Sequence, residues 1–115
     1  MWPSGPQART SLQRPLGLSS RRGGDDDGPL PLGRVVATPG ALKLLMESRV
    51  HPFNDLARHA AGDWGDLCVF DRRQNQIALR EGYRIFSSYA VSAESVWVIT
   101  EADRSVTTIL LPEEY

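Results

Sequence analysis

Apolar residues recur along residues 33–115 with two different periods. Between Thr38 and Glu81 they return every three or four positions, which is the spacing of one face of an α-helix. From Tyr83 onwards apolar and polar residues alternate, as in a strand with one buried face. A run of helices followed by a run of strands predicts an α+β domain.

Three helices are predicted from their start and stop signals. A Thr-Pro pair begins a helix over residues 39–48, and a His-Pro pair begins another over residues 52–60. Gly82 ends a third helix over residues 70–81, because glycine adopts the left-handed conformation without strain. Helical spacing predicts the following inner positions: Leu42, Leu45 and Met46; Phe53, Leu56 and Ala57 (or Ala60); Phe70, Ile77 and Ala78.

Dense β-branched and aromatic residues predict three strands, over residues 83–91, 96–100 and 106–111. Short polar turns between them favour hairpins, so these strands form an antiparallel meander. Residues 34–37 are interpreted as a short extended piece outside it. We therefore predict two or three short helices packed on one face of a three-stranded antiparallel meander. Trp97 and Ile99 are assigned to the face under the helices.

The first part of the chain differs in composition from the rest. Pro, Gly, Ser and Arg are clustered there, and no apolar run is long enough for a core element. We expect residues 1–32 to be a disordered leader, or a stretch that precedes the true start. Residues 33–115 are expected to form a single α+β domain.

Charge and cysteine content narrow the classes of function. With 13 basic and 14 acidic residues, the chain lacks the basic balance typical of nucleic-acid-binding domains, so such a partner is not favoured. Cys68 is the single cysteine, which fits a reducing cytoplasm. No apolar run reaches the roughly 18 residues of a membrane span, and no cofactor-binding loop is present. We expect neither membrane association nor a cofactor, and the oligomeric state is open.

The sequence GDWGD at residues 62–66 is the first candidate site. Two glycines permit an unusual backbone path, and Asp63 and Asp66 flank the large aromatic Trp64. This composition fits a binding or acid–base loop. It also fits a connector between helices, in which Trp64 fills the edge of the core, and we favour the connector.

The hairpin end near residues 101–107 is the second candidate. Carboxylate, guanidinium and hydroxyl groups gather there on Glu101, Asp103, Arg104, Ser105 and Thr107. Together such groups bind phosphate or assist proton transfer. The alternative is an ordinary polar turn with an internal contact between aspartate and arginine.

His51, Asp55 and His59 recur every four residues and therefore share a helix face. Imidazole and carboxylate are ordinary metal ligands. The ends of this set lie about 12 Å apart along a helix, which is too far for one ion, so no metal site is expected. His59 alone, close to the GDWGD loop, is an acid–base candidate.

Three stretches carry a resemblance to a known family: VATPGAL at residues 36–42, LARHAAGDWGDL at residues 56–67 and WVITEADRSVTTILLP at residues 97–112. Through them, and through Asn75, the chain resembles small bacterial proteins carried by plasmids and integrative elements. Members are labelled plasmid-related proteins or type I restriction endonuclease subunit M. The resemblance implies a mobile-element accessory protein. We expect a non-enzymatic module that binds an unidentified protein partner in restriction, defence or conjugation.

The alternative to a non-enzymatic module is a ribonuclease. Methyltransferase activity is not expected, because the domain is short and lacks an Asn-Pro-Pro-aromatic motif. The order of elements is similar to that of small ribonuclease toxins, including barnase-like enzymes, which implies RNA cleavage by the C-terminal hairpin. Glu101 would be the base, Arg104 would hold phosphate, and His59 would supply the acid. That mechanism requires the three side chains to meet in one cleft.

Overall fold

The computed structural model describes residues 29–115, in which one strand, three helices and three further strands follow each other. The elements are β1 (Arg34–Ala37), α1 (Pro39–Glu47), α2 (Pro52–Ala60), α3 (Val69–Glu81), β2 (Ile85–Val91), β3 (Glu94–Thr100) and β4 (Val106–Leu110). A short 3₁₀ turn, Pro112–Glu114, follows β4. The α+β class is confirmed. Among the described residues, no helix is both long and apolar enough to cross a membrane.

The sheet has four strands in the order β1-β4-β3-β2, so the prediction of a three-stranded sheet is wrong. Strands β2, β3 and β4 do pair antiparallel as predicted. The addition is β1, which pairs parallel with β4 and places Arg34 opposite Val106. A four-residue extended segment carries no local signal for a partner about 70 residues away, and only tertiary packing decides that pairing.

The helix ends follow the predicted signals. The Thr38 hydroxyl accepts a hydrogen bond from the Ala41 amide at 3.1 Å, and α1 begins at the next residue, Pro39. At the start of α2, the Nδ1 atom of His51 accepts from the Phe53 amide at 3.0 Å. These side chains satisfy amides that have no partner within the helix.

The predicted inner faces of the helices are wrong at four large apolar positions and at Ala57, which is exposed where its alternative Ala60 is half-buried. Met46, Phe53 and Phe70 are 75%, 69% and 63% exposed, and Leu42 is 40% exposed. The predicted inner positions Leu45, Leu56 and Ala78 are confirmed as buried. The other buried helix positions are Ala41 and Leu44 in α1, Asp55 and His59 in α2, and Asp71 and Asn75 in α3. Periodicity was misleading because polar residues occupy inner positions of α2 and α3. His59 and Asn75 find hydrogen-bond partners in the core, which allows a helix to bury such side chains.

The sheet face under the helices is the opposite of the predicted one. Val96 and Val98 pack with Leu45 and Leu56 of the helices. Trp97 lies on the other face, where its ring meets that of Phe86 edge-on, with 4.9 Å between centroids. Both faces of β3 carry large apolar residues, so alternation alone had no basis for choosing between them.

The packed chain also begins earlier than the predicted boundary at residue 33. Leu30 is 9% exposed and packs with Trp64, Ala78 and Ile85. Its amide donates to the carbonyl of Ala60 at 2.9 Å. The expected disorder of the leader otherwise concerns residues 1–28, which lie outside the described part of the chain.

Candidate functional site

The GDWGD loop closes one edge of the sheet. The Ser88 amide of β2 donates to the Trp64 carbonyl at 3.1 Å, and the Asp66 amide donates to the Ser88 carbonyl at 2.7 Å. Gly65, with φ of 75°, lies between them, and a Cβ at this position would collide with the Ser88 carbonyl. The loop therefore pairs with β2 in the manner of a short extra strand, which protects an otherwise open edge.

The side chains of this loop have separate roles. Trp64 is 6% exposed and fills the core beside Leu30. Asp63 is exposed and pairs with Arg58, with 2.7 Å between Oδ2 and Nε. The hydrogen bond from Arg58 lowers the pKa of Asp63. The backbone of Asp66 pairs with β2, while its side chain is exposed. The loop thus has the contacts of a connector, and its binding role stays a prediction.

Asn75 of helix α3 also covers the edge strand β2, through hydrogen bonds to its main chain. Its Nδ2 atom donates to the Phe86 carbonyl at 2.6 Å, and its Oδ1 atom accepts from the Phe86 amide at 3.1 Å. Asn75 is fully buried and replaces the neighbouring strand that β2 lacks at this residue. The sequence signal was an asparagine in a helix interior, where this residue type is disfavoured without a specific partner.

Arg104 at the hairpin end binds backbone carbonyls. Its Nη1 atom donates to Tyr83 at 2.6 Å and to Glu101 at 3.2 Å, and its Nη2 atom donates to Ala78 at 3.3 Å. These contacts join the hairpin to the end of α3. Three of the five guanidinium N–H groups are thereby directed to main-chain carbonyls.

The other predicted residues of the hairpin end point in different directions. Asp103 accepts from the Ser105 amide at 3.0 Å, which is an ordinary aspartate turn, and Ser105 is exposed. Glu101 forms an ion pair with Arg84 at 3.3 Å between Oε1 and Nε. Arg84 is 6% exposed and also donates to the Tyr115 hydroxyl at 3.0 Å. Arg84 is the ionic partner of Glu101 that sequence reasoning missed.

Thr107 belongs to a buried chain of hydroxyl groups centred on His59. The His59 Nδ1 atom lies 2.5 Å from the Ser87 hydroxyl, and its Nε2 atom lies 2.8 Å from the Thr100 hydroxyl. Thr100 and Thr107 are 2.7 Å apart, and Thr107 donates to the Leu32 carbonyl at 2.7 Å. The four side chains are fully buried. We call this set the His59 chain.

The donor and the acceptor of each hydrogen bond in the His59 chain can be assigned by starting at the Leu32 carbonyl. A carbonyl only accepts, so the single hydroxyl hydrogen of Thr107 is directed to Leu32. Thr100 must then donate its hydroxyl hydrogen to Thr107. The Thr100 hydroxyl oxygen in turn accepts from His59 Nε2–H. The remaining nitrogen, Nδ1, accepts from Ser87. Hydrogen-bond accounting thus assigns His59 as the neutral tautomer protonated at Nε2.

Burial and the positive charge of Arg104 lower the pKa of His59 to about 4. The imidazole is therefore neutral at pH 7, and both of its nitrogens are occupied. His51 and Asp55 do not join it as ligands: His51 caps α2 from an exposed position, whereas Asp55 is buried. Within residues 29–115, no three His, Cys, Asp or Glu side chains are placed to hold a metal ion.

The three residues of the ribonuclease hypothesis do not share an open cleft in these contacts. His59 bonds to Thr100 beneath the helices, and Glu101, the next residue along the strand end, pairs with Arg84. Successive residues of a strand point to opposite faces of the sheet. Acid–base catalysis needs its groups within reach of one substrate atom. The hypothesis stays a prediction, with this geometry unfavourable to it.

Large apolar side chains on all three helices are exposed to solvent. Val69 and Phe70 at the start of α3 are 72% and 63% exposed, as are Met46 and Phe53 at 75% and 69%. These four are the most exposed large apolar side chains of residues 29–115. Isolated exposed apolar side chains are common, but four large ones above 60% in so small a domain leave much apolar area in water.

Comparison with known proteins adds no relative. No family model, curated protein or solved structure matches the chain.

Proposed function

We propose that this chain is a non-enzymatic protein-binding module that serves a mobile element in restriction, defence or conjugation. The observation that carries the binding role is the outward position of Met46, Phe53, Val69 and Phe70. The mobile-element setting rests on the resemblance of the three sequence stretches. The partner is expected to cover apolar area on the helices.

The energetics of exposure support this proposal. Covering a large apolar side chain contributes about 1.5–3 kcal/mol relative to leaving it in water. The same helices bury Asp55, His59, Asp71 and Asn75, so exposure of the apolar residues does not arise from a shortage of inner positions. A partner that removes these side chains from water would recover a favourable term that folding alone leaves unused.

The contacts of the polar residues weigh against catalysis. The His59 ring is fully buried with both nitrogens bonded, and Arg104 donates to three backbone carbonyls. Residues 29–115 carry nine basic and eleven acidic side chains, an unhelpful balance for gripping a polyanion. No contact described here favours the ribonuclease alternative specifically.

The test combines capture and RNA stability. The tagged chain is expected to retain a defined protein from a bacterial lysate and to lose it when Phe53→Ser and Phe70→Ser are combined. Val35→Ser is the matched control, because Val35 is apolar and 43% exposed but lies on β1. Purified RNA should stay intact. RNA cleavage that is lost in Glu101→Gln would reverse the proposal in favour of the ribonuclease.

A further inference from the structure

We infer that the solvent face of α3 is the part of the module that docks a partner, and that the partner presents an acidic, apolar segment. This inference rests on the proposed binding function and specifies the chemistry of the partner. The α3 surface is defined by Val69, Phe70, Arg73 and Arg80, all of which are exposed.

The rotation of α3 about its axis is fixed by its buried side. Asn75 bonds to both the amide and the carbonyl of Phe86, and Ala78 packs in the core. At 3.6 residues per turn, Val69, Arg73 and Arg80 project on the side opposite these contacts. Phe70 lies beside Val69 at the first turn. The exposed face is thus imposed by the fold and is not an arbitrary orientation.

The charges on this face are unbalanced. Within residues 29–115, neither Arg73 nor Arg80 makes an ion pair or a side-chain hydrogen bond. Arg72, the neighbouring cation, donates to the carbonyls of Leu67 and Gly65. The acidic Asp71 is buried on the other side of the helix. The exposed charged side chains of α3 are thus the basic Arg72, Arg73 and Arg80 and the acidic Glu81. The exposed side of the helix is net positive on a domain in which acidic residues outnumber basic ones.

The positive charge of the α3 surface favours an acidic partner. Its apolar side chains, Val69 and Phe70, favour a protein over a nucleic acid. Arg73 and Arg80 are seven residues apart, about 10.5 Å along the helix, which is also the separation of two carboxylates two turns apart on a partner helix. Guanidinium groups pair with carboxylates in bidentate fashion. Val69 and Phe70 offer an apolar end that a phosphate backbone would leave uncovered. A protein segment that combines acidic residues with large apolar ones satisfies both features.

The experiment is a selection of random 12-residue peptides displayed on phage against the immobilised full chain. We expect enrichment of peptides that combine two or more Asp or Glu with large apolar residues. A selected peptide, resynthesised and labelled, should lose at least tenfold in affinity for the variant Arg73→Gln with Arg80→Gln. A comparable loss is expected for Val69→Ser with Phe70→Ser.

Matched controls separate the α3 surface from charge in general. Arg34→Gln with Arg49→Gln removes two exposed cations elsewhere and should change affinity less than twofold. All variants should melt within about 2 °C of the wild type, because exposed side chains contribute little to stability. Binding that is unchanged by the α3 variants would overturn the inference.

The inference and the proposed function fail in different ways. Peptide binding that is lost in Phe53→Ser with Met46→Ser, but kept in the α3 variants, would leave a binding module with another docking surface. Absence of any enriched peptide would count against both. Tighter binding of single-stranded or duplex RNA than of any peptide, abolished by Arg73→Gln with Arg80→Gln, would replace a protein partner by a nucleic acid.

Discussion

The helix-facing side of the sheet has an apolar half and a polar half. The apolar half contains Tyr89, Val96, Val98 and Ile109, which pack against Leu45 and other helix residues. The polar half consists of the His59 chain, in which each side chain bonds to the next. Apolar packing is non-directional, whereas the His59 chain is satisfied in a single order of donors and acceptors. The two halves should therefore respond differently to small changes.

The two halves contribute differently to holding α2 and the segment before β1 in place. Contacts of Leu56 with the apolar half stabilise α2 but tolerate small rotations. The His59 bonds to Ser87 and Thr100 fix its rotation and connect it to two strands. The bond from Thr107 to Leu32 then connects the same chain to the segment before β1. A buried polar chain that is fully satisfied specifies one arrangement.

The largest expected effect comes from a cavity in the apolar half. Leu45→Ala should lower the free energy of unfolding by about 2–5 kcal/mol, because Leu45 is fully buried and its neighbours cannot fully collapse. Urea denaturation followed by circular dichroism measures this change. Leu42→Ala, at a 40% exposed position of the same helix, should cost far less. Equal losses in both variants would show that the α1 faces are assigned incorrectly.

The next effect concerns acid and separates the polar half from the apolar half. His59 has a pKa of about 4 when folded and 6.5 as the ordinary value. Because the folded pKa is the lower one, its stabilising contribution is complete above pH 6.5 and is lost as pH falls towards 4. The loss amounts to about 3 kcal/mol at most.

Urea denaturation as a function of pH tests this loss, and His59→Gln should give a flatter profile between pH 6.5 and 4. Carboxylates that also titrate at low pH are common to both proteins and cancel in the difference. If that variant does not fold, an NMR titration of the wild-type imidazole is decisive. A His59 ring that becomes protonated near pH 6.5 would contradict the prediction.

A pair of nearly isosteric changes sharpens the comparison within one strand. Thr100→Val removes the acceptor of His59 Nε2–H, and Val98→Thr places a hydroxyl in the apolar half without an assigned partner. Each should cost about 1–3 kcal/mol, because each leaves or creates a buried polar group that is not satisfied. Thermal melting of both variants measures this. A neutral Thr100→Val would mean that the hydroxyl chain only fills space.

The smallest effect is expected on the outer side of the helices. Phe53→Ser and Phe70→Ser should each change the free energy of unfolding by less than about 0.5 kcal/mol, since both side chains are mostly exposed. The same denaturation experiment measures the change. A loss above about 1 kcal/mol in either variant would assign that residue to the packing of the fold and remove it from the docking proposal.

Local signals in the sequence were sufficient to predict the three helices and the strands β2, β3 and β4. Thr38 and Pro39 set the start of α1 because capping and a missing amide act within one turn. Gly82, with φ of 82°, ends α3 for the same kind of local reason. The meander of β2, β3 and β4 followed from alternation and short polar turns. Trp64 as a core-filling residue also agreed with its size and type.

Orientation and long-range pairing were decided only by the tertiary structure. Phe53 and Phe70 lie outside because His59 and Asn75, on the same helices, find hydrogen-bond partners inside. Both sides of β3 are apolar enough to be buried, so the alternation left the choice of face open. Only the tertiary packing placed Trp97 on the face opposite the helices. The pairing of β1 with β4 joins segments about 70 residues apart. Caps and turns act between neighbours in the chain, whereas these choices depend on which distant groups satisfy one another in space.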